Sequence, residues 1–75
     1  MHYKFQIFGV PVFGRTLPSG DLAIWHPYNC RVQEIVEPIC RNHGHWRSSH
    51  NNWIVFGEFA EWTLEELRRA GGEHA

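Results

Sequence analysis

No one sign of charge dominates this chain, no apolar run is long, and cysteine is scarce. Each shortage removes a class of function. Seven Lys or Arg stand against eight Asp or Glu, for a formal net charge of −1. That argues against an autonomous non-specific nucleic-acid binder, whose affinity comes from neutralising phosphates. The longest apolar run, Ile7 to Phe13, is interrupted by Gly9 and Pro11 and is far too short to span a bilayer. Met1 to Phe5 lacks the basic start, apolar stretch and small-residue cleavage site of a signal peptide. A soluble, cytoplasmic protein without a membrane partner is expected. Two cysteines, Cys30 and Cys40, make no disulfide framework. On one helix they stand about 15 Å apart at about 1.5 Å per residue, beyond disulfide reach. Both are read as reduced, small core residues. Repeats, linkers and low-complexity tracts are also missing, so residues 1–75 are read as one small domain.

Signatures of catalysis are missing too. Cys30 or Ser48 with a histidine lacks a nucleophile elbow and an oriented third group. Gly9, Gly14 and Gly20 form no nucleotide-binding loop. Cys40, His43, His45 and His50 could be drawn as a zinc site, but their spacing is no recurring ligand pattern. Solvated polar residues at an element boundary are the better reading. Glu58, Glu61, Glu65 and Glu66 read as a solvated helix start that the dipole favours, rather than as acid–base carboxylates. The expectation is a non-enzymatic protein with no metal and no cofactor.

Aromatic side chains are plentiful: four Trp, two Tyr and five Phe. They can pack a small core densely, and they exceed what one thin core can enclose. One or two are therefore read as interface anchors or as stacking platforms for single-stranded bases. Charge is also unevenly spread. No acid occurs from Ile39 to Gly57, where Arg41, His43, His45, Arg47 and His50 stand, and acids cluster afterwards.

Tyr3, Phe5 and Ile7 alternate with Lys4 and Gln6, which reads as a half-buried strand. Gly9, Pro11 and Gly14 interrupt the next stretch, so Val10 to Arg15 reads as a bulge, loop or edge segment. Leu17 to Asp21 is a turn, and Leu22 to Trp25 a second short strand. His26 to Asn29 opens a helix, with Asn29 a candidate N-cap. Val32, Ile35, Val36, Ile39 and Cys40 then form one helical stripe. Pro38 falls on the polar side and predicts a kink rather than a break. Gly44 reads as a residue just past the helix end.

From Gly44 to Phe56 two tryptophans bracket a polar turn. With His50-Asn51 as a two-residue turn, Trp46 faces Val55 and Arg47 faces Ile54. Trp46, Trp53 and Val55 then share one face, and His45, Arg47, Ile54 and Phe56 the other. Gly57 to Glu61 reads as a loop. Thr63 and Glu66 make a capping box, flanked by Trp62 and Leu67 as a staple. Gly71 and Gly72 stop that helix, and Glu73 to Ala75 should fray. The architecture expected is α+β, in the order ββαββα: a small antiparallel sheet of two hairpins, covered by one main helix and a short C-terminal one.

Gly44, Trp46, Trp53 and the pair Ile54-Val55, following a helix from Tyr28, resemble a small module. It occurs as the HARP domain of annealing helicases and as a small domain beside plasmid-transfer primases and in phage proteins. In that family the turn usually carries Asp-Pro and Lys, where this chain has Arg47 to Asn52. The resemblance implies a non-enzymatic accessory role near nucleic-acid machinery, often on mobile elements.

Three readings of function follow, the last of them a zinc-binding protein or an enzyme. In the first, a phage- or mobile-element-encoded modulator docks on a protein complex of host nucleic-acid or defence machinery, as an anti-CRISPR inhibitor does. Its contact faces are Arg41 to Trp53 and the acidic stretch with Glu58 and Glu61. In the second, Arg41, His45, Arg47, His50 and Asn51 meet nucleic acid directly while Trp46 or Trp53 stacks on bases. That reading predicts steep salt dependence and strengthening near pH 6 as histidines charge. Exposed aromatic surface is also compatible with a homodimer.

Overall fold

The alternation in β1 (His2–Ile7) sets the two faces of a sheet. Phe5 and Ile7 are buried and Tyr3 half-buried, while Lys4 and Gln6 are exposed. Residues 1–71 are described in this structure, a computed structural model. The chain reverses at Phe8 and Gly9, whose φ angles are 52° and 75°. A two-residue hairpin turn of the type matched to strand twist needs positive φ at both centres.

β2 (Val10–Thr16) is a continuous strand where Gly9, Pro11 and Gly14 suggested a loop, bulge or edge segment. Gly9 and Pro11 each have a place the sequence does not announce. Gly9 is in the turn. The residues flanking a two-residue turn exchange both hydrogen bonds, so Gln6 and Pro11 form the next, non-hydrogen-bonded pair. The Pro11 nitrogen therefore faces away from β1. On that side β3 (Leu22–Trp25) pairs only with Phe13 to Thr16 and never reaches it. No ladder hydrogen bond is lost.

Asn29 starts α1 (Cys30–Arg41), its Oδ1 accepting from the Val32 amide at 3.1 Å. Val32, Val36 and Cys40 are fully buried, and Ile35 and Ile39 half-buried. Pro38 lies exposed inside the helix, which continues through it. The Glu34 carbonyl it deprives of a donor faces solvent on that side. Asn42 is the C-cap, and Gly44 opens β4 (Gly44–Arg47) rather than closing the helix. The glycine is needed there for room: a Cβ would run into the Ile54 carbonyl of β5 (Asn52–Val55).

Trp46 pairs with Trp53 and Arg47 with Asn52. The connection is thus the four residues Ser48 to Asn51, with Asn51 at φ 51°, and not the two-residue turn His50-Asn51. The register differs by two from the one the sequence suggests. A shift of two leaves every side chain on its face, so Trp46, Trp53 and Val55 still share one side and His45, Arg47 and Ile54 the other.

A 3-10 turn (Gly57–Phe59) leads into α2 (Ala60–Ala70). Thr63 is therefore not the cap. Ala60, Thr63, Leu64 and Leu67 follow helical spacing, and Thr63 is fully buried on that stripe. Its hydroxyl has no partner. α2 has no side-chain cap; the 3-10 turn before it is held from a distance, by Asp21 Oδ1 accepting from the Gly57 amide at 2.9 Å. Nor do Trp62 and Leu67 form a staple: Trp62 meets His43 edge-on at 4.7 Å, and Leu67 enters the core. Gly71 ends the helix, while the expected fraying of Glu73 to Ala75 lies outside the described residues.

The fold is α+β, with the order βββαββα, not ββαββα; the added strand is β2. One five-stranded antiparallel sheet has the order β1-β2-β3-β5-β4. Both helices pack on the same face. There Phe5, Ile7, Val12, Leu22, Ile24, Trp53 and Val55 from the strands meet Val32, Val36, Cys40 and Leu67 from the helices. Each such side chain contributes about 1.5–3 kcal/mol by leaving water. Burial also pushes the Cys40 thiol up to about 12.

Candidate functional site

Because strands alternate, covering one face of the sheet displays every second residue on the other. Two cross-strand rows occupy the uncovered face. In the first, Lys4, Phe13 and Trp25 are successive neighbours on β1, β2 and β3. Asn52 and Arg47 are paired on the far side, and Trp25 lines one hollow together with both. The second row is His2, Arg15, Ala23, Ile54 and His45, each beside the next across all five strands. Four strand spacings make such a row about 19 Å long.

The middle of this face is apolar and its rim is cationic. Phe13 and Trp25 stack at 5.2 Å between centroids with 24° between planes, and they remain 37% and 41% exposed. Such a pair stabilises itself by about 0.5–1.5 kcal/mol while leaving ring surface open. Ile54 and Ala23 beside it are buried although no helix covers them. Around the aromatics stand Lys4, Arg15 and Arg47, with His2 and His45. Arg47 is held by a hydrogen bond from its Nε to Asn52 Oδ1 at 3.2 Å.

None of the five strands carries a single Asp or Glu. The carboxylates of the described residues lie on loops and helices. The ion pairs follow them: Glu37 with Arg41 on α1, Glu65 with Arg68 at 2.8 Å and Glu66 with Arg69 at 2.7 Å on α2. Among the described residues Lys4, Arg15 and Arg47 have no carboxylate partner. The face therefore keeps positive potential although the chain as a whole is nearly neutral.

The residues singled out in the sequence divide between places. His45 and Arg47 lie on the uncovered face, and His50 lines the hollow there, its Nδ1 at 2.9 Å from Ser49 Oγ. Trp53 is buried on the helix-covered face, where Trp46 meets it edge-on at 5.3 Å. Arg41 and Asn51 line a separate trough behind β4 with Trp46. Glu58 and Glu61 are exposed on the 3-10 turn and α2, and Glu61 lines a third hollow with Tyr3 and Trp62. Lys4, Phe13, Arg15 and Trp25 are additions to the site. The signal for them is the spacing Pro11, Phe13, Arg15, which puts all three on one face once β2 is read as a strand.

His43, Phe59 and Trp62 form a ring cluster, with centroids 4.3 Å and 4.7 Å from the histidine. Among the described residues no three His, Cys, Asp or Glu converge as metal ligands would. No helix is long and apolar enough to cross a membrane. Tyr28 and Cys30 share a hydrogen bond of 2.9 Å, which holds the phenol above its ordinary range. Comparison with family models, curated proteins and solved structures finds no match.

Proposed function

We propose that this chain is a non-catalytic binding module that takes single-stranded nucleic acid on the uncovered sheet face. The observation that carries the reading is one face with an exposed aromatic stack, cations at its rim and no carboxylate on any strand. Phosphates have Lys4, Arg15 and Arg47 to meet. Bases have the open rings of Phe13 and Trp25, each stack being worth about 1–3 kcal/mol. A duplex fits less well, because its bases do not offer their faces. Overall neutrality limits non-specific attraction, so affinity rests on this one face.

Fluorescence anisotropy with a labelled mixed-sequence oligonucleotide, DNA and RNA in parallel, tests the reading across a salt series. Three phosphate contacts predict a slope of log affinity against log salt of about −2. Lys4→Ala, Arg15→Ala or Arg47→Ala should each flatten it by roughly 0.7. Absence of binding at low salt, or affinity indifferent to salt, would sink the proposal.

A second reading is docking on a protein complex of nucleic-acid or defence machinery, the mode of a mobile-element inhibitor. Trp62 and Tyr28, exposed at 46% and 83% and away from the sheet face, favour it. Trp and Tyr dominate protein hot spots. Capture of a defined complex that resists nuclease and is lost in Trp62→Ala would support this reading over the first.

A further inference from the structure

A trough of about 850 Å³ runs behind the edge strand β4. α1 lies against β5 and β4, yet Trp46 on the helix-covered side stays 48% exposed. Trp46 and Tyr28 form exposed aromatic walls, and Trp53 and Ile24 contribute apolar surface behind them. Along α1, Gln33, Glu37 and Arg41 supply polar groups one turn apart. Pockets of this size suit a small organic group.

The chemistry of the trough differs from that of the open face in one decisive respect. Arg41 is already paired with Glu37, so the trough offers a phosphate no unpaired guanidinium or ammonium. What is offered instead is ring surface, a primary amide that can donate and accept, a carboxylate acceptor and a guanidinium donor. That set matches the face and edge of a nucleobase. Trp25 lines both hollows.

We infer that the trough is a base-recognition pocket for the same strand, which passes Trp25 and inserts one base beside Trp46. This rests on the open-face reading. Phosphate contacts on the sheet then supply affinity, and the trough supplies base preference, since edges and not phosphates carry sequence information.

The test compares octanucleotides of each single base on the wild type and on Trp25→Ala, Gln33→Ala and Trp46→Ala. Gln33 is exposed on α1, so its truncation leaves the fold intact even if Trp46→Ala does not. The wild type should prefer one base by about five- to tenfold. Gln33→Ala should remove that preference while affinity for the other bases stays within about twofold. Trp46→Ala should weaken all four, and Trp25→Ala should weaken all four with the preference kept. Preference that survives both trough variants, with Trp25→Ala still weakened, overturns the pocket and leaves the open-face reading standing. Indifference of binding to Trp25→Ala and Arg47→Ala overturns both. Loss of a nuclease-resistant protein partner in Trp46→Ala, with oligonucleotide binding unchanged, assigns the trough to a peptide and overturns the inference.

Discussion

The two faces of the sheet use the same kinds of side chain to opposite ends. On the helix-covered face Phe5 and Trp53 are spent on the core, 7% and 9% exposed, among Ile, Val and Leu. On the other face Phe13 and Trp25 shield each other only partly, and the neighbours along their row are Lys4, Asn52 and Arg47. Trp25 and Ile24 are adjacent in one strand, yet one is 41% exposed and the other fully buried. The contrast separates tasks. Stability should reside on one face and ligand affinity on the other, and near-zero net charge conceals strands free of acids, on whose open face Lys4, Arg15 and Arg47 stand.

That contrast can be broken most severely from the covered side. Leu67→Ala removes a fully buried side chain and should cost about 2–5 kcal/mol of stability, read by urea unfolding. Oligonucleotide affinity of the molecules still folded should not change. On the open face the pattern should invert. Trp25→Ala should weaken oligonucleotide binding by about 1–3 kcal/mol, with unfolding stability lowered by less than in Leu67→Ala, through the lost stack and the buried part of the ring. If Trp25→Ala destabilises as much as Leu67→Ala, the division of labour fails.

Thr63→Val sharpens the picture of the core. The buried hydroxyl has no partner, so an isosteric apolar replacement should stabilise by about 1 kcal/mol, visible as a raised unfolding midpoint. Burial of Cys40 adds a pH signature. Its folded thiol titrates near 12, above an ordinary value near 9. The neutral form is favoured by folding, so this contribution is complete below pH 9 and is lost as pH rises through 12. Thiol labelling should accordingly modify exposed Cys30 in the native protein and reach Cys40 only on unfolding.

The smallest expected effect lies at the hairpin tip. Phe8 holds φ 52° with its ring 4.2 Å from the Arg31 guanidinium. Phe8→Asn relieves left-handed strain of about 1–2 kcal/mol and gives up a cation–π contact of about 0.5–1 kcal/mol. A net gain of about 0.5 kcal/mol in unfolding free energy is expected.

What could be read from the sequence follows from how local each determinant is. The α1 stripe and the Asn29 cap are contained within one element, and both are legible. So are the two sides of the Trp hairpin, because its register slip is even. β2 was hidden because Pro11 is tolerated only through the shortness of β3, a fact about another strand. The start of α2 was hidden because the 3-10 turn that leads into it is held by Asp21, far away in sequence, while Thr63 to Glu66 imitates a capping box. The site inherits both conditions. His45 and Arg47 could be picked from the acid-free stretch, whereas Lys4, Phe13 and Arg15 join them only after β2 becomes a strand. Trp53 left the site for the core, since nothing in its own neighbourhood says which face the helices will cover.

Backbone amide chemical shifts, followed by NMR as a single-stranded oligonucleotide is added at low salt, would locate the bound strand on the molecule. Shifts should concentrate at Lys4, Phe13, Arg15, Trp25 and Arg47, with little change along α2. Shifts confined to Glu58 through Glu66, or none at all, would contradict the open-face reading.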